Sequence, residues 1–236
     1  MKADSQTMIN LVDSRISEKK QQKLIKSLPA YLKSKEKALT KRYGKEKSNE
    51  ILSVATKEYP GIVKKIPVFN TPMYDSLISL AGKMAALKKG MRAAGSGTDE
   101  FVKFNFEQTR LAANKIPSFL RKTTGKKYLS KPVRKYLNRV AHSVISNGWP
   151  TALINGPGKD DFAMSIETKN YQMVAFFEAI GEGDIRPYCT FFDFTSAEAL
   201  GIGLKQVSDI NSGVCKYCFY KKGKVEWPDT IQELLN

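Results

Sequence analysis

The pattern of the chain changes near Trp149, and this change limits the folds that the chain can adopt. Before it, segments rich in helix-forming residues follow one another, with apolar residues at steps of three and four. After it, short alternating runs are separated by turn signals such as the Asn-Gly-Pro-Gly sequence at 155–158. The later strands follow each other directly, which favours antiparallel pairing. The sequence therefore predicts an α+β fold, with a helical amino-terminal part packed on a small antiparallel sheet with helices.

Within the amino-terminal part, residues 15–58 are predicted to be helical, with an interruption or a new start at Pro29. Further helices are predicted for about 99–113 and, after a basic turn, for about 130–145. Between these segments, an apolar stripe at helical spacing predicts the buried face of one more helix: Met73, Leu77, Leu80, Met84 and Leu87.

Charge divides the chain in a similar way. The net charge is +16, but residues 1–140 hold 31 Lys and Arg against 11 Asp and Glu, whereas residues 141–236 hold 8 against 12. We interpret 1–140 as a basic helical region and 141–236 as an α+β region, together forming one compact domain. The basic residues lie at helical spacing along several segments, as on solvated helix faces.

Three observations bear on the compartment. The first residues lack the apolar segment of a secretory signal, and no run of about 18 apolar residues exists that could span a membrane. Three cysteines, an odd number, do not make a disulfide framework. We therefore expect a cytoplasmic protein with no membrane partner, since the basic helices also lack a large Trp or Phe face.

Cys215 and Cys218 are spaced like half of a zinc ribbon or a dithiol redox site. The surrounding sequence predicts a strand, in which residues three apart point to opposite faces. Only Cys189 and His142 remain to complete four zinc ligands, and no helix amino terminus is predicted next to the pair. We therefore expect neither a metal site nor a cofactor.

Another pairing of residues suggests a pocket. Asp193 follows Cys189 by four residues, and these two side chains share one face if the segment is helical. Cys215 lies on a neighbouring predicted element, also beside aromatic residues. The alternative is structural, because free cysteines are commonly buried and Asp193 would serve as a helix cap. Spacing alone leaves both interpretations open.

The stretch "PYCTFFDFTSAEALGIGLKQVSDINSGVCKYCFYKKGK" resembles the carboxyl-terminal signature of the L-2-amino-thiazoline-4-carboxylic acid hydrolase family. That signature combines a Cys, an Asp three or four residues later, a helix ending in Gly, a strand, a turn and a second Cys on a strand. The resemblance covers about residues 162–221 and rests on these positions: Cys189, Asp193, Gly201, Gly213, Cys215 and Tyr217.

The resemblance implies a hydrolase that opens a small cyclic amidine or thiazoline. Water adds to the amidine-like carbon and the carbon–sulfur bond breaks, which gives an N-carbamoyl amino acid. Such a reaction needs a carboxylate that holds the cationic amidine and transfers protons, and Asp193 is the first candidate, with Glu167 as a second. The nucleophile is either activated water or a thiol, from Cys189 or Cys215.

Two further residues are candidates for holding the substrate. Arg186, just before the signature, carries a cation suited to a substrate carboxylate. Tyr217 follows Cys215, the second cysteine of the signature, by two residues. Each has a structural alternative, since Arg186 is also explained as a turn residue, Glu167 as a charge on a strand edge and Tyr217 as packing on a sheet face.

Two other functions stay open beside a hydrolase with a small-molecule substrate. The first is a small-molecule-binding or sensor domain without catalysis on the same scaffold. The second is a nucleic-acid-binding protein that uses the basic region, although no recognisable nucleic-acid-binding module is present and this partner is not expected. An oligomer is compatible with the sequence.

Overall fold

The computed structural model describes residues 14–68, 71–144, 151–155, 162–169, 172–188, 190–208 and 214–235. Within these ranges helices dominate, and five strands form one sheet in the later part of the chain. The predicted α+β class is therefore confirmed. None of the described helices combines the length and the apolar composition needed to cross a membrane.

The elements follow one another in two groups. The helices before the sheet are α1 Glu18–Tyr43, α2 Lys45–Val63, α3 Pro72–Ala93, α4 Thr98–Asn114, α5 Ser118–Tyr128 and α6 Lys131–Val144. The later elements are β1 Thr151–Asn155, β2 Met164–Lys169, α7 Gln172–Ala179, a 3-10 helix Gly183–Tyr188, α8 Phe191–Leu200, β3 Gly203–Ser208, β4 Val214–Tyr220, β5 Val225–Glu226 and α9 Asp229–Leu235.

The described residues fall into two compact units that alternate along the chain. The helical unit comprises the described residues within 11–104 and 175–185, and the sheet unit comprises those within 105–174 and 186–236. The first boundary between the units lies within α4, between Phe104 and Asn105, so the end of α4 together with α5 and α6 belongs to the sheet unit.

Pro29 does not interrupt the first helix as the sequence suggested. It lies inside α1, which runs on to Tyr43 and ends at Gly44 with a φ of 80°. A proline inside a helix removes one backbone hydrogen bond. Leu28 and Leu32 on either side of it are buried, and their packing offsets that loss.

The buried face of α3 also differs from the predicted stripe. Met84 and Leu87 are buried, but the side chains of Leu77 and Leu80 are 44% and 41% exposed. A helix of mixed composition allows more than one apolar face at a period of 3.6, and here the smaller residues decide the packing. The buried face includes these residues: Tyr74, Ile78, Ala81, Ala85 and Lys88.

Gly90 explains why α3 turns this face to α2. A Cβ atom at Gly90 would lie 2.2 Å from the backbone oxygen of Ile51. The two helices therefore approach each other too closely for any side chain at this position.

A buried ion cluster joins α3 to the segment 175–185 within the helical unit. Nζ of Lys88 lies 2.6 Å from Oε2 of Glu182 and 2.7 Å from Oδ1 of Asp184. The guanidinium of Arg92 donates to both carboxylate oxygens of Glu182, over 3.0 and 2.9 Å. Lys88 and Glu182 are 2% and 0% exposed, so their charges are stabilised by one another rather than by water.

In the sheet unit, the strands have the order β1-β2-β4-β3-β5. β1 to β4 pair antiparallel, as predicted, whereas β5 pairs parallel to β3 and was not predicted. The basic turn expected before α6 is instead the helix α5. Gly125 of α5 lies so close to the backbone oxygen of Leu200 that a Cβ would be 2.5 Å from it.

The core of the sheet unit lies between α8 and one face of the sheet. Phe194 and Ala197 of α8 are buried there, and the ring of Phe194 lies 5.7 Å from that of Trp227. The sheet contributes these side chains: Met164, Leu204, Cys215, Tyr217 and Phe219. This apolar contact fixes α8 on this face of the sheet and thereby sets the position of its first turn.

Candidate functional site

The first turn of α8 carries Asp193. Its backbone N–H donates to the backbone oxygen of Thr190 over 3.0 Å, and this hydrogen bond closes the first turn of the helix. Because the next residue, Phe194, is fully buried in the core, Asp193 is held at the edge of that core. Asp193 itself is half-buried, so its carboxylate lies at the boundary between the apolar interior and the surface.

Tyr217 of β4 contacts this carboxylate. Residues alternate between faces along a strand, so Cys215, Tyr217 and Phe219 all point towards α8. The hydroxyl of Tyr217 donates to Oδ2 of Asp193 over 3.4 Å. This is a long hydrogen bond, and it stabilises the charged carboxylate only weakly.

The surroundings raise the pKa of Asp193 to about 6. Burial is the main cause, because it removes the water that would stabilise the charged carboxylate. The hydrogen bond from Tyr217 acts in the opposite direction and lowers the pKa by a smaller amount. A carboxyl group with this pKa exists in both protonation states near neutral pH, as a group that accepts and returns a proton requires.

Thr190 and Gln206 add polar groups beside this pair, and neither was predicted from the sequence as a site residue. Gln206 is the direct neighbour of Tyr217 on β3. The hydroxyl of Thr190 donates to Oε1 of Gln206 over 3.4 Å, and Nε2 of Gln206 donates to the oxygen of Ser208 over 2.8 Å. The signal was available, because Gln206 follows the apolar Leu204 by two residues on a predicted strand and therefore shares its face.

Cys215 lies on the same sheet face as Tyr217, two residues away, and is 2% exposed within the apolar core. Cys218 is also buried, but the alternation of β4 places it on the other face. Both cysteines carry free thiols. The strand predicted for this pair is therefore confirmed, and its two sulfur atoms do not converge on one site.

The remaining candidates are placed as follows. Cys189 lies outside the described residues. Arg186 is half-buried in the 3-10 helix that precedes α8. Oε2 of Glu167 lies 3.7 Å from Nζ of Lys216, its direct cross-strand neighbour, on the face opposite Tyr217. The sheet thus separates Glu167 from Asp193.

Within the described ranges, no three His, Cys, Asp or Glu side chains converge as metal ligands do. A groove of about 580 Å³ lies elsewhere on the sheet unit, and its walls include Phe106, Arg110, Glu198 and Trp227. Asp193 and Tyr217 are not among the residues that line this groove.

No protein-family model, no curated protein and no solved structure matches this chain.

Proposed function

We propose that the protein is a hydrolase of the L-2-amino-thiazoline-4-carboxylic acid hydrolase type, which opens a small cyclic amidine or thiazoline with Asp193 as its proton-transfer group. The observation that carries the proposal is the half-buried Asp193 carboxylate, held by Tyr217 and with its pKa raised to about 6. The resemblance of residues 162–221 to that family supplies the substrate class.

In the proposed reaction, the cationic amidine of the substrate binds beside the ionised carboxylate of Asp193. The same carboxylate accepts a proton from water as the water oxygen bonds to the amidine carbon. The tetrahedral intermediate then breaks its carbon–sulfur bond, and Asp193 returns its proton to the leaving sulfur. The second water proton passes to solvent, since the cationic amidine becomes a neutral carbamoyl group.

Water, rather than Cys215, is the nucleophile in this scheme. Cys215 is 2% exposed and is packed among the apolar side chains of the core. A nucleophile has to reach the substrate carbon, and a thiol enclosed by core side chains does not meet this condition. Cys215 therefore supports the face that carries Tyr217, two residues along the same strand.

The polar neighbours favour a polar ligand. Tyr217, Thr190 and Gln206 place two hydroxyl groups and one amide near the start of α8. Hydroxyl and amide groups bind ligand atoms directionally without adding charge, which suits the amino group and carboxylate of a small heterocycle. Arg186 is the candidate cation for that carboxylate.

The test is turnover of 2-aminothiazoline-4-carboxylate, with related thiazolines, amides and lactams as a panel, followed by mass spectrometry of the product. Asp193→Asn should lower kcat/KM by about 100- to 10,000-fold, as expected when a general base is lost. Cys215→Ala should keep activity, and Glu198→Gln, the same change at an exposed position of α8, is the matched control.

Two results would decide against the proposal. Turnover by Asp193→Asn at the wild-type rate would remove the assigned proton-transfer group. Binding of a panel compound by the wild type without any product would favour a binding or sensor domain instead.

A further inference from the structure

One continuous segment of the chain, residues 108–140, contains basic residues but no acidic ones. Residues 108–140 contain ten Lys and Arg residues and no Asp or Glu, and the next acidic residue along the chain is Asp160. All of these residues belong to the sheet unit, where they form the end of α4, then α5 and α6. Among them, Arg110 has a salt bridge, with Glu198 at 3.6 Å.

The other cations of this segment lack acidic partners in the part of the chain that the structure describes. Lys131, Lys135 and Arg139 are exposed and follow each other at four-residue steps, where like charges repel. Lys131 also begins α6, at the end of a helix where the dipole disfavours a cation. This arrangement opposes folding, and an anionic partner would remove the repulsion.

Exposed apolar side chains lie in the same segment. Leu111, Ile116, Phe119 and Leu120 are 57%, 48%, 67% and 45% exposed. Only three residues separate the end of α4 from the start of α5, so these four side chains lie within ten consecutive positions of the chain. We call residues 111–127 the basic apolar ridge.

Charge and apolar surface combine on α5. Phe119, Lys122 and Lys126 are separated by three and four residues, so they share one face of this helix. All three are exposed, as is Lys127 beside them. A helix face that presents an aromatic ring together with lysines is complementary to the surface of a bilayer, where lipid acyl chains lie next to negatively charged headgroups.

We infer that the basic apolar ridge binds the surface of anionic lipid membranes. Apolar side chains at the ridge enter the headgroup region while the lysines contact the lipid phosphates. Nucleic acid fits less well, because single strands are held by stacking on aromatic rings and most of the exposed apolar residues here are aliphatic. The sequence predicts no membrane partner because the basic helices lack a large Trp or Phe face, whereas the structure exposes Phe119 together with three aliphatic side chains in this segment.

The experiment is co-flotation of the full chain with phosphatidylcholine vesicles, with and without phosphatidylglycerol, at low and high salt. We expect binding to the anionic vesicles alone, and release by salt. Replacing Lys122, Lys126 and Lys127 with Gln should weaken binding on the order of 100-fold. Each cation near an anionic surface increases the affinity by a factor of about five. Phe119→Ser with Leu120→Ser should weaken it about tenfold or more.

Matched variants separate this surface from net charge and from general exposure of apolar groups. Lys33, Lys37 and Lys41 on α1 are exposed too, and their replacement with Gln removes the same charge elsewhere. Leu77→Ser with Leu80→Ser removes exposed apolar groups from α3. Both controls should bind vesicles as the wild type does.

Three results would overturn the inference. The first is equal loss of binding in the ridge variants and the α1 control, which would make net charge alone responsible. The second is binding of generic DNA or RNA with no binding of anionic vesicles. The third is no vesicle binding together with a wild-type dimer that Phe119→Ser converts to a monomer, which would assign the ridge to a second copy of the chain.

Discussion

Lys88 and Glu182 form an ion pair of 2.6 Å although 94 positions separate them in the chain, and both are almost completely buried. Arg92 and Asp184 extend this pair into a cluster. Lys88 and Glu182 depend on each other and on this cluster, because neither has enough water around it to be stabilised alone, whereas Arg92 and Asp184 are 46% and 48% exposed.

Removal of the Glu182 charge should therefore destabilise the protein strongly. Glu182→Gln leaves Lys88 and Arg92 without their main buried partner, and we expect a loss of about 3 kcal/mol in the free energy of unfolding. Urea denaturation at neutral pH measures this loss. Glu58→Gln is the control, since Glu58 is an exposed partner of Lys89 at 4.0 Å, and it should change stability by less than about 0.5 kcal/mol. Equal effects of the two changes would contradict the assigned role of burial.

Asp193 should make stability fall as pH rises through a defined window. Its pKa is raised from 3.8 to about 6 in the folded protein, so between these values the folded state keeps a proton that the unfolded state has released. Stability therefore decreases from about pH 4 to about pH 6, and the full cost, on the order of 3 kcal/mol, is present above that window.

Comparison with Asp193→Asn isolates this effect. The variant does not titrate at this position, so the difference in unfolding free energy between variant and wild type should grow in favour of the variant from about pH 4 to about pH 6. Tyr217→Phe removes the hydrogen bond that lowers the pKa of Asp193, and so the upper end of the window should move to higher pH. A pH-independent difference between wild type and Asp193→Asn would show that the carboxylate is solvated.

Gly90 should not tolerate a side chain. Gly90→Ala places a Cβ 2.2 Å from the oxygen of Ile51, and separation of the two helices should cost about 1–3 kcal/mol. Gly61→Ala in α2 is the matched change, because nothing lies within 4 Å of its Cβ, and it should be neutral or stabilising by up to about 1 kcal/mol. Thermal unfolding of both variants checks the pair. A Gly90→Ala protein as stable as Gly61→Ala would mean that the helices are not in close contact.

The thiol groups of Cys215 and Cys218 should react only when the protein opens. Both are buried, with 2% and 4% exposure. In a Cys189→Ser background, alkylation by iodoacetamide should be slow in buffer and should accelerate with urea in parallel with unfolding. Mass spectrometry of the labelled peptides measures each site. Rapid labelling of Cys215 in the native protein would restore it as a candidate nucleophile.

The sequence predicted the class of the fold and most elements because periodicity reports local structure. The two strands around the 155–158 turn signal and the strand that contains both cysteines follow directly from alternation. It did not predict α5, because its Lys, Thr and Gly residues show no clear apolar period. The prediction of the buried face of α3 was wrong in part. Small residues such as Gly90, rather than the largest apolar ones, determine where α2 packs on this helix.

The candidate site was less accessible to sequence analysis. Spacing and family resemblance both selected Asp193, but its contact with Tyr217 depends on how α8 packs on the sheet. Glu167 and Tyr217 were both candidates, and only the strand register shows that they lie on opposite faces. Lys88 resembles an ordinary surface lysine in the sequence, because its partner arrives from a distant segment.

The alternation of the two units along the chain has a consequence for biosynthesis. The helical unit lacks Glu182 until the ribosome has passed residue 185, although its helices α1 to α3 have emerged long before. Until then the ammonium group of Lys88 has no carboxylate partner from that segment. The nascent helices can associate, but they cannot bury Lys88. A fragment that stops at residue 104 should for this reason remain loosely packed, and addition of a peptide corresponding to 175–185 should be what consolidates it.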